Sequence, residues 1–524
     1  MTQGRTRLPL ALDNWDRVWG DQLIRAIDQN FEAPVNSADV TFLQSGAGAV
    51  TRTVQSKERD VVSVKDFGAV GNGVANDTSA FQAAATSAVS RGVDLYVPPG
   101  TYSITSTIIF DQTSKTTFAN GRTNLIGSGK GSTRISYSGS AGTAALSFVG
   151  PTWSSTNVPY VRQRVSGVMV DCLDPSVTRT GILVNRAIDL VWDDIEVIQA
   201  YQAVDAVDVV HWSLNNCTFT FNNYGILGRR SPSFGVSNNG SPVNIVLMNK
   251  CEFTNNRQWA VDFFDSANIV VVGGSFESNG RTSPYYSSDA NRWSIRIRAP
   301  DYNGAAGLMM YGVHFETNGG DADVWIDQTV YPGVFEITGC DFVRNGYDFG
   351  QGVSFTINNI LFNSTGAAAS RLRVCAGFRG VNGYTPSAAR KYIAGTLVGS
   401  VHSMDDEGCI YESSIEQPVF GLRGHRYGSH VHGSATWGWT GSAVSIFASY
   451  NIFTITRSLV GRYVITWGTP TTSSVYSVTQ SPGTDQLTMV IVGRTAAAAT
   501  VEFRNLLGVP TDPTFEIGIV AFAS

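Results

Sequence analysis

The chain has 524 residues, a net charge of −5 and only 15% charged side chains, with 54 glycines. Without a long basic run, this mildly acidic balance argues against nucleic acid as a partner. No stretch of 18 uncharged apolar residues is present to span a bilayer. This length implies several domains or one long repeat array, and the recurrence of Gly, Ser, Thr, Val and Asn favours strands and tight turns over helices. The opening Met1-Thr-Gln-Gly-Arg5 has no apolar core of a secretory signal, so synthesis without Sec export is expected.

In chain order, residues 1–60 read as a separate N-terminal piece. Trp15, Val18, Trp19, Gln22, Leu23, Ala26, Ile27 and Phe31 recur at three- and four-residue spacing, which predicts a helix from Asp13 to Phe31 that ends before Pro34. Residues 36–60 read as linker with short strands. Next comes Val64-Lys-Asp66-Phe-Gly-Ala-Val-Gly71, a strand running into a glycine turn. A helix over about 77–90 follows, with Asn76 or Asp77 as its N-cap and an apolar face of Phe81, Ala84, Ala85, Ala88 and Val89. Val93 to Val97 and Pro98-Pro-Gly100-Thr-Tyr102 give another strand and turn.

The middle of the chain repeats itself. Five segments carry Phe three residues before Asn: Phe219 and Asn222, Phe253 and Asn256, Phe276 and Asn279, Phe315 and Asn318, Phe342 and Asn345. Successive Phe are 34, 23, 39 and 27 residues apart, a period that marks a solenoid. Cys217, Cys251 and Cys340 stand two residues before a Phe, so strand alternation turns them inward as small core residues. The Asn column predicts an amide ladder at a turn. From about 430 the pattern changes to strands such as Val444 to Phe447, Tyr450 to Arg457, Gly461 to Trp467, Leu487 to Val492 and Phe515 to Phe522. Gly, Pro and Ser turns separate them, which suggests a β-sandwich.

The run from Asp60 to Tyr102 resembles the opening of pectate-lyase-like right-handed parallel β-helices, and especially those of bacteriophage tailspikes. The residues that carry the resemblance are Val64 to Gly71, Asn76-Asp77-Thr78-Ser-Ala-Phe81 and Val97-Pro-Pro-Gly100-Thr-Tyr102. Upstream, Gly46 to Val54 looks like the tailspike linker. Thr454 to Val464 looks like the C-terminal modules of phage tail fibres. One departure is that the family's Gly-Asp-Gly and Asp-Asp read Gly71-Asn72-Gly73 and Asn76-Asp77 here. The expected architecture is therefore mainly β. Residues 1–60 form an attachment segment and 61–380 a right-handed parallel β-helix with its capping helix near 77–90. Residues 381–430 form a transition, and 431–524 a β-sandwich for trimerisation or carbohydrate contact. The resemblance implies a virion protein of the phage tail, a homotrimer joined to the baseplate through its N-terminus, whose partner is a bacterial surface polysaccharide, either lipopolysaccharide O-antigen or capsule.

Candidate chemistry follows from the repeat. If Phe faces inward, the residues on either side of it face outward on the same sheet. That brings Glu252, Glu277, His314, Glu316 and Asp341 onto one face, with Glu277 directly above Glu316. Paired carboxyls are what glycoside hydrolysis requires, one as acid and one as base or nucleophile. Adjacent coils start near the 5–5.5 Å spacing of retaining enzymes, and diagonal pairs reach toward the 6.5–9.5 Å spacing of inverting ones. The longest gap places a loop, Gly280 to Asn291, directly after Glu277; it carries Tyr285, Tyr286 and Asp289, and Trp293 follows. Aromatic faces suit sugars, so Tyr285, Tyr286 and Trp293 are candidate substrate contacts. So are His314, Arg296 and Arg298, the last three also as base or neutraliser for a polysaccharide lyase. A column of Asp265, Arg298 and Asp327 is expected to be a structural charge ladder or a second groove. His402, His425, His430 and His432 lack metal-ligand spacing, and Gly127-Ser-Gly129-Lys130-Gly-Ser132 lacks the spacing of a phosphate loop, so neither metal nor cofactor is expected. The competing classes are a lyase, a non-catalytic adhesin and an esterase, the last without a Gly-x-Ser-x-Gly elbow.

Overall fold

The computed structural model describes residue 25 and residues 36–115, 122–151, 162–231, 243–264, 266–280, 292–299, 307–328, 333–345, 358–364, 370–381, 384, 390–395, 403–405 and 409–412. Toward the C-terminus it describes 430–439, 444–450, 452–459, 462–467, 476–480, 488–495, 498–504 and 517–523. The helix expected over Asp13 to Phe31 lies outside the described residues apart from Arg25, which is helical.

The chain divides into two compact units, Met1–Val62 and Ser63–Ser524. In the first, Thr41–Leu43 pairs antiparallel with Thr51–Thr53, and the helix Val54–Glu58 begins where the Thr53 hydroxyl accepts from Ser56 N–H. Arg52 grips Asp60 through two bonds of 2.9 and 2.8 Å.

In the second unit, the helix Thr78–Arg91 buries Phe81, Ala84, Ala85, Ala88 and Val89, the expected face. The two residues expected as N-cap divide the work. Asn76 Oδ1 accepts from Thr78 N–H at 3.1 Å. Asp77 occupies the cap position but turns its carboxylate back to the glycine turn, where it accepts from Val70 N–H at 2.6 Å and Gly71 N–H at 3.2 Å. The turn needs glycine at Gly100, where φ is +151° and a Cβ would lie 2.6 Å from the Gly71 carbonyl.

Beyond the cap, three parallel sheets run the length of a right-handed β-helix. Sheet A contains Thr218–Thr220, Glu252–Thr254, Ser275–Glu277 and His314–Glu316, continued by the end of Gly333–Asn345. Sheet B contains Tyr224–Arg229, Trp259–Phe264, Trp293–Ala299, Ala322–Gln328 and Asn358–Ser364. Sheet C contains Asn244–Asn249, Ala267–Val272, Gly307–Tyr311 and the start of Gly333–Asn345. Each coil crosses A, B and C in turn, and every strand pairs with its counterpart one coil on. Parallel pairing extends past the expected limit of 380: Lys391–Ala394, Ser403–Asp405 and Ile410–Tyr411 still pair with the coil before them. Within 430–523 the described strands form two four-stranded sheets with antiparallel pairing.

The corners explain which residues recur. Between A and B, Gln199, Phe221, Asn255, Ser278 and Thr317 all take φ of 54–57°. Between C and A, Asp194, Asn216 and Lys250 take φ of 52–55°, and glycines 273, 312 and 339 take over in later coils. One left-handed residue per corner swings the chain from one sheet to the next. Just inside the A–B corner sits the amide ladder. Asn222 Nδ2 donates to Asn256 Oδ1 at 3.1 Å, Asn256 Nδ2 to Asn279 Oδ1 at 2.8 Å, and Asn279 Nδ2 to Asn318 Oδ1 at 3.2 Å. Each amide also donates to the carbonyl of the residue at the Phe position one coil back, at 2.8–3.0 Å. The amide thus supplies a donor to the buried carbonyl at the Phe position. Beside it runs a Phe ladder: rings 219, 253, 276, 315, 342 and 378 stack at 4.7–5.1 Å, within 15° of parallel. Burying each ring is worth roughly 1.5–3 kcal/mol. Cys217, Cys251 and Cys340 are buried and free, as the alternation predicts.

Candidate functional site

With Phe inward, the residues flanking it in sheet A form two columns on the opposite side of the sheet, of which Thr220 and Val343 are buried. Preceding the Phe column are Glu196, Thr218, Glu252, Ser275, His314 and Asp341. Following it are Thr220, Thr254, Glu277, Glu316 and Val343. Glu277 and Glu316 are partners in register, so their Cα atoms lie about 4.8 Å apart. The grouping of Glu252, Glu277, His314, Glu316 and Asp341 on one face is therefore what the backbone delivers.

The side chains divide this face. His314 bridges two carboxylates, with Nε2 3.3 Å from Glu316 Oε2 and Nδ1 3.5 Å from Asp341 Oδ2. Asn345 leaves the amide ladder and donates to Glu316 Oε1 at 3.2 Å. Arg379 clasps Asp341 through Nε at 3.0 Å and Nη2 at 2.6 Å. The Arg379 hydrogen bond, reinforced by its charge and by His314, holds the Asp341 carboxyl below the usual range. Asp341 is thus a fixed anion, unsuited to donating a proton. Glu277 is half-buried and has no side-chain partner among the described residues.

Two coils from Glu252, with Thr218 between, stands Glu196. Burial pushes its carboxyl up, and the charges of Glu252, Asp171 and Asp194 act in the same sense against that of Lys130. Lys130 crosses several coils: its ammonium donates to the Asn216 carbonyl at 2.9 Å and Thr218 Oγ1 at 3.1 Å, and lies 3.8 Å from Asp194. The glycine-rich loop that resembled a phosphate cradle is in fact the base of this staple. At the corner beside Thr220, Phe221 is 56% exposed although held at φ 55°.

Other candidates move away from this face. Arg296 and Arg298 belong to sheet B, where Arg298 holds Asp262 at 2.9 and 2.6 Å and Arg296 holds Asp327 at 2.7 Å. Burial pushes the Asp262 carboxyl up, and Arg298 opposes it. Arg296 also lies over Trp325 and Trp293, 4.0 and 4.7 Å from the ring centroids. Both guanidiniums are committed to internal pairs, so neither serves the carboxylates of sheet A. The expected column is off by one: Arg298 stands opposite Asp327 but also opposite Phe264, not Asp265. The reason is the turn after Asn318, which takes one residue more than that after Asn256 before the paired positions Ala322 and Trp259. Asp265 itself lies outside the described residues. Trp293 is only 4% exposed, and its indole N–H donates to the Val261 carbonyl at 3.1 Å, so it is a packed residue and not a sugar platform. Tyr285, Tyr286 and Asp289 lie outside the described residues, as do His402 and His425. His430 and His432 fall on the strand His430–Trp439.

Sequence reasoning missed Glu196, Lys130, Phe221 and Arg379. The coil of Glu196 has Val197 in place of Phe and Ala200 in place of Asn, so the repeat signature passes over it. The alternation of Ile195 and Val197, both buried, was the remaining signal. Phe378 follows the same Phe column but has Val381 where Asn would stand, which hid Arg379.

Residues 61–281 match the family model described as rhamnogalacturonase A/epimerase, pectate lyase-like. No curated protein matches the sequence. Among solved structures, ORF18 of Geobacillus virus E2 aligns with a TM-score of 0.52 at 15% identity, over 94% of this chain and 87% of that one. The enzymatically active domain of bacteriophage CBA120 tailspike protein 2 aligns at 0.46 and 12% identity, over 94% of this chain and 74% of its own. The tailspike of Escherichia coli bacteriophage HK620, solved with a pentasaccharide, aligns at 0.42 and 12% identity, over 96% of this chain and 100% of its own.

Proposed function

We propose that this chain, a pectate-lyase-like right-handed parallel β-helix, is a phage tailspike that binds and cuts a bacterial surface polysaccharide, O-antigen or capsule, by endo-glycosidic hydrolysis. The single observation that carries the reading is the registered pair Glu277 and Glu316 on the outward face of sheet A. An extended surface made of stacked coils suits a linear polymer. The pectate-lyase-like match over 61–281 supports a carbohydrate chemistry.

Roles follow from the partners. Glu316 accepts from Asn345 and lies against His314, which fits a carboxylate acting as base or nucleophile. Glu277 is unencumbered and is assigned as proton donor to the leaving glycosidic oxygen. The bond from the anomeric carbon to that oxygen breaks as the proton arrives, and water supplies the new hydroxyl, directly or by releasing a glycosyl–Glu316 intermediate. Adjacent-coil spacing favours the second, retaining route. Asp341 and Arg379 orient His314 and Glu316. Glu252, one coil before Glu277 and offset across the strand, contacts the chain further along. Residues 1–60 attach the protein to the tail, three copies assemble, and the C-terminal sheets assist assembly or glycan contact. The protein then acts from the virion at the host surface.

The test is product analysis. The chain and its Glu277→Gln and Glu316→Gln variants are incubated with lipopolysaccharide and capsule from candidate hosts. New reducing ends without unsaturated-uronate absorbance, lost in both variants, support the hydrolase. Absorbance without hydrolysis turns the reading to a lyase, and tight binding without shortening turns it to an adhesin.

A further inference from the structure

The outward face of sheet A has a charge character that bears on what it admits. From Glu196 to Arg379 its columns carry Glu196, Glu252, Glu277, Glu316 and Asp341, against Arg379 alone and the neighbouring Lys130. Leaving His314 out of the count, that strip bears three net negative charges among the described residues. These two cations are already engaged, whereas Lys250, exposed at the C–A corner beside Glu252, stands outside the columns. Arg379 is doubly bonded to Asp341. Lys130 is held by Asn216, Thr218 and Asp194. At the N-terminal end of the same sheet, Arg134 is paired with Asp171. On the columns themselves an incoming carboxylate would have to displace one of these internal partners and enter a field that repels it. Hydroxyl and amino groups meet the opposite situation, since carboxylates accept from both.

One feature of the rim points to an apolar sugar face. Phe221 is a bulky residue held at positive φ, a backbone region such side chains rarely adopt, yet its ring is 56% exposed at the corner beside Thr220. The core column beneath it is already filled by Phe219. An exposed ring at the border of a carboxylate-lined strip is suited to the C–H face of a pyranose, whose hydroxyls then turn toward the acids.

Resting on the reading of this face as a polysaccharide-cleaving site, we infer that it is selective for chains of uncharged or amino sugars and rejects uronate-rich chains, with Phe221 as the stacking platform. A lyase acting on uronates is thereby disfavoured by the same charges.

The experiment compares matched polymers. The probes are O-chains with uncharged repeats, uronate-containing capsules, and those capsules after carbodiimide–borohydride reduction of their carboxyls. Reducing-end release is measured on the wild-type chain, and retention of each polymer on the Glu277→Gln variant. The expected result is cleavage of an uncharged chain, at least tenfold weaker retention of its uronate counterparts, and recovery of retention once the carboxyls are reduced. On the cleaved glycan, Phe221→Ala and Phe221→Asn should each raise KM about tenfold with kcat unchanged. Asn tolerates the left-handed backbone, so that variant removes the ring without straining the corner. Efficient cleavage of a uronate polymer that falls on carboxyl reduction overturns the inference while leaving the enzyme reading intact. An unchanged KM in both Phe221 variants overturns the platform. If no polysaccharide is cut or retained, the functional reading fails and this inference with it.

Discussion

Removing one rung of the amide ladder tests what holds the β-helix together. Asn279 is fully buried. Its Nδ2 donates to the Phe253 carbonyl at 2.8 Å and Asn318 Oδ1 at 3.2 Å. Its Oδ1 accepts from Asn256 N–H at 3.2 Å and Asn256 Nδ2 at 2.8 Å. Asn279→Ala deletes all four. Two neighbours are partly compensated: Asn256 Nδ2 keeps the Phe219 carbonyl at 3.0 Å, and Asn318 Oδ1 keeps Asn279 N–H at 2.9 Å. The Phe253 carbonyl and Asn256 N–H lose their amide partners in a site closed to water. At about 1 kcal/mol per hydrogen bond, with more for a buried group left unmade, the loss should be about 3–4 kcal/mol. The assay is guanidinium unfolding followed by tryptophan fluorescence, with Thr254→Val as control. The Thr254 hydroxyl bonds Thr220 at 2.8 Å on the outward side, so its removal should cost about 1 kcal/mol or less. An Asn279→Ala loss no larger than the control's would refute the claim that the ladder is a principal internal support.

Other outcomes follow from the site. Glu277→Gln and Glu316→Gln should each lower kcat for depolymerisation by about 10²- to 10⁴-fold, with the unfolding midpoint unmoved; reducing-end assays and melting curves check both halves. Asp341 is held low by Arg379. Such a carboxylate contributes stability above its unfolded pKa and loses it only as pH falls through the depressed folded value. Arg379→Met should therefore remove that acid-side component from the stability profile, which acid titration of the melting temperature will show. Glu196 has the opposite sign. Its raised carboxyl contributes stability below the unfolded pKa and loses it as pH rises through the folded value. Glu196→Gln should then raise the melting temperature at neutral pH, with the gain vanishing on acidification below the ordinary glutamate range.

What could be read from the sequence was whatever the stacking geometry forces to repeat. The Phe at 219, 253, 276, 315 and 342 must superpose because each ring packs on the one before. The Asn must superpose because each amide needs the next. Those two constraints phase the strand, and phasing alone placed Glu277 over Glu316. Counting failed where the turn lengthened by one residue after Asn318, so Arg298 and Asp265 were wrongly aligned. It also failed where a core position changed identity without changing role, as at Val197, and Glu196 went unnoticed. Partner choice was not legible at all: that Arg379 takes Asp341, and that Lys130 reaches Thr218 from 88 residues away, depends on side-chain reach across coils.

The same physics separates a constrained inside from a permissive outside. In the core each coil packs only on its neighbours, so an inward substitution breaks a ladder that several coils share. An outward one alters two positions on a strip and leaves the stack intact. A polymer lying along sheet A meets the outward residues in coil order, first Glu196, Thr218 and Glu252, then Glu277 and Glu316, then the locked Asp341 and Arg379. On the proposed assignment the acid pair thus lies in the middle of the strip, with a stapled end on one side and an ion-paired end on the other. A cut made there falls inside a bound chain and not at its terminus. The Glu277→Gln variant makes this checkable: it should protect an internal stretch of polymer from periodate, whereas protection confined to a chain end would contradict an endo-acting groove.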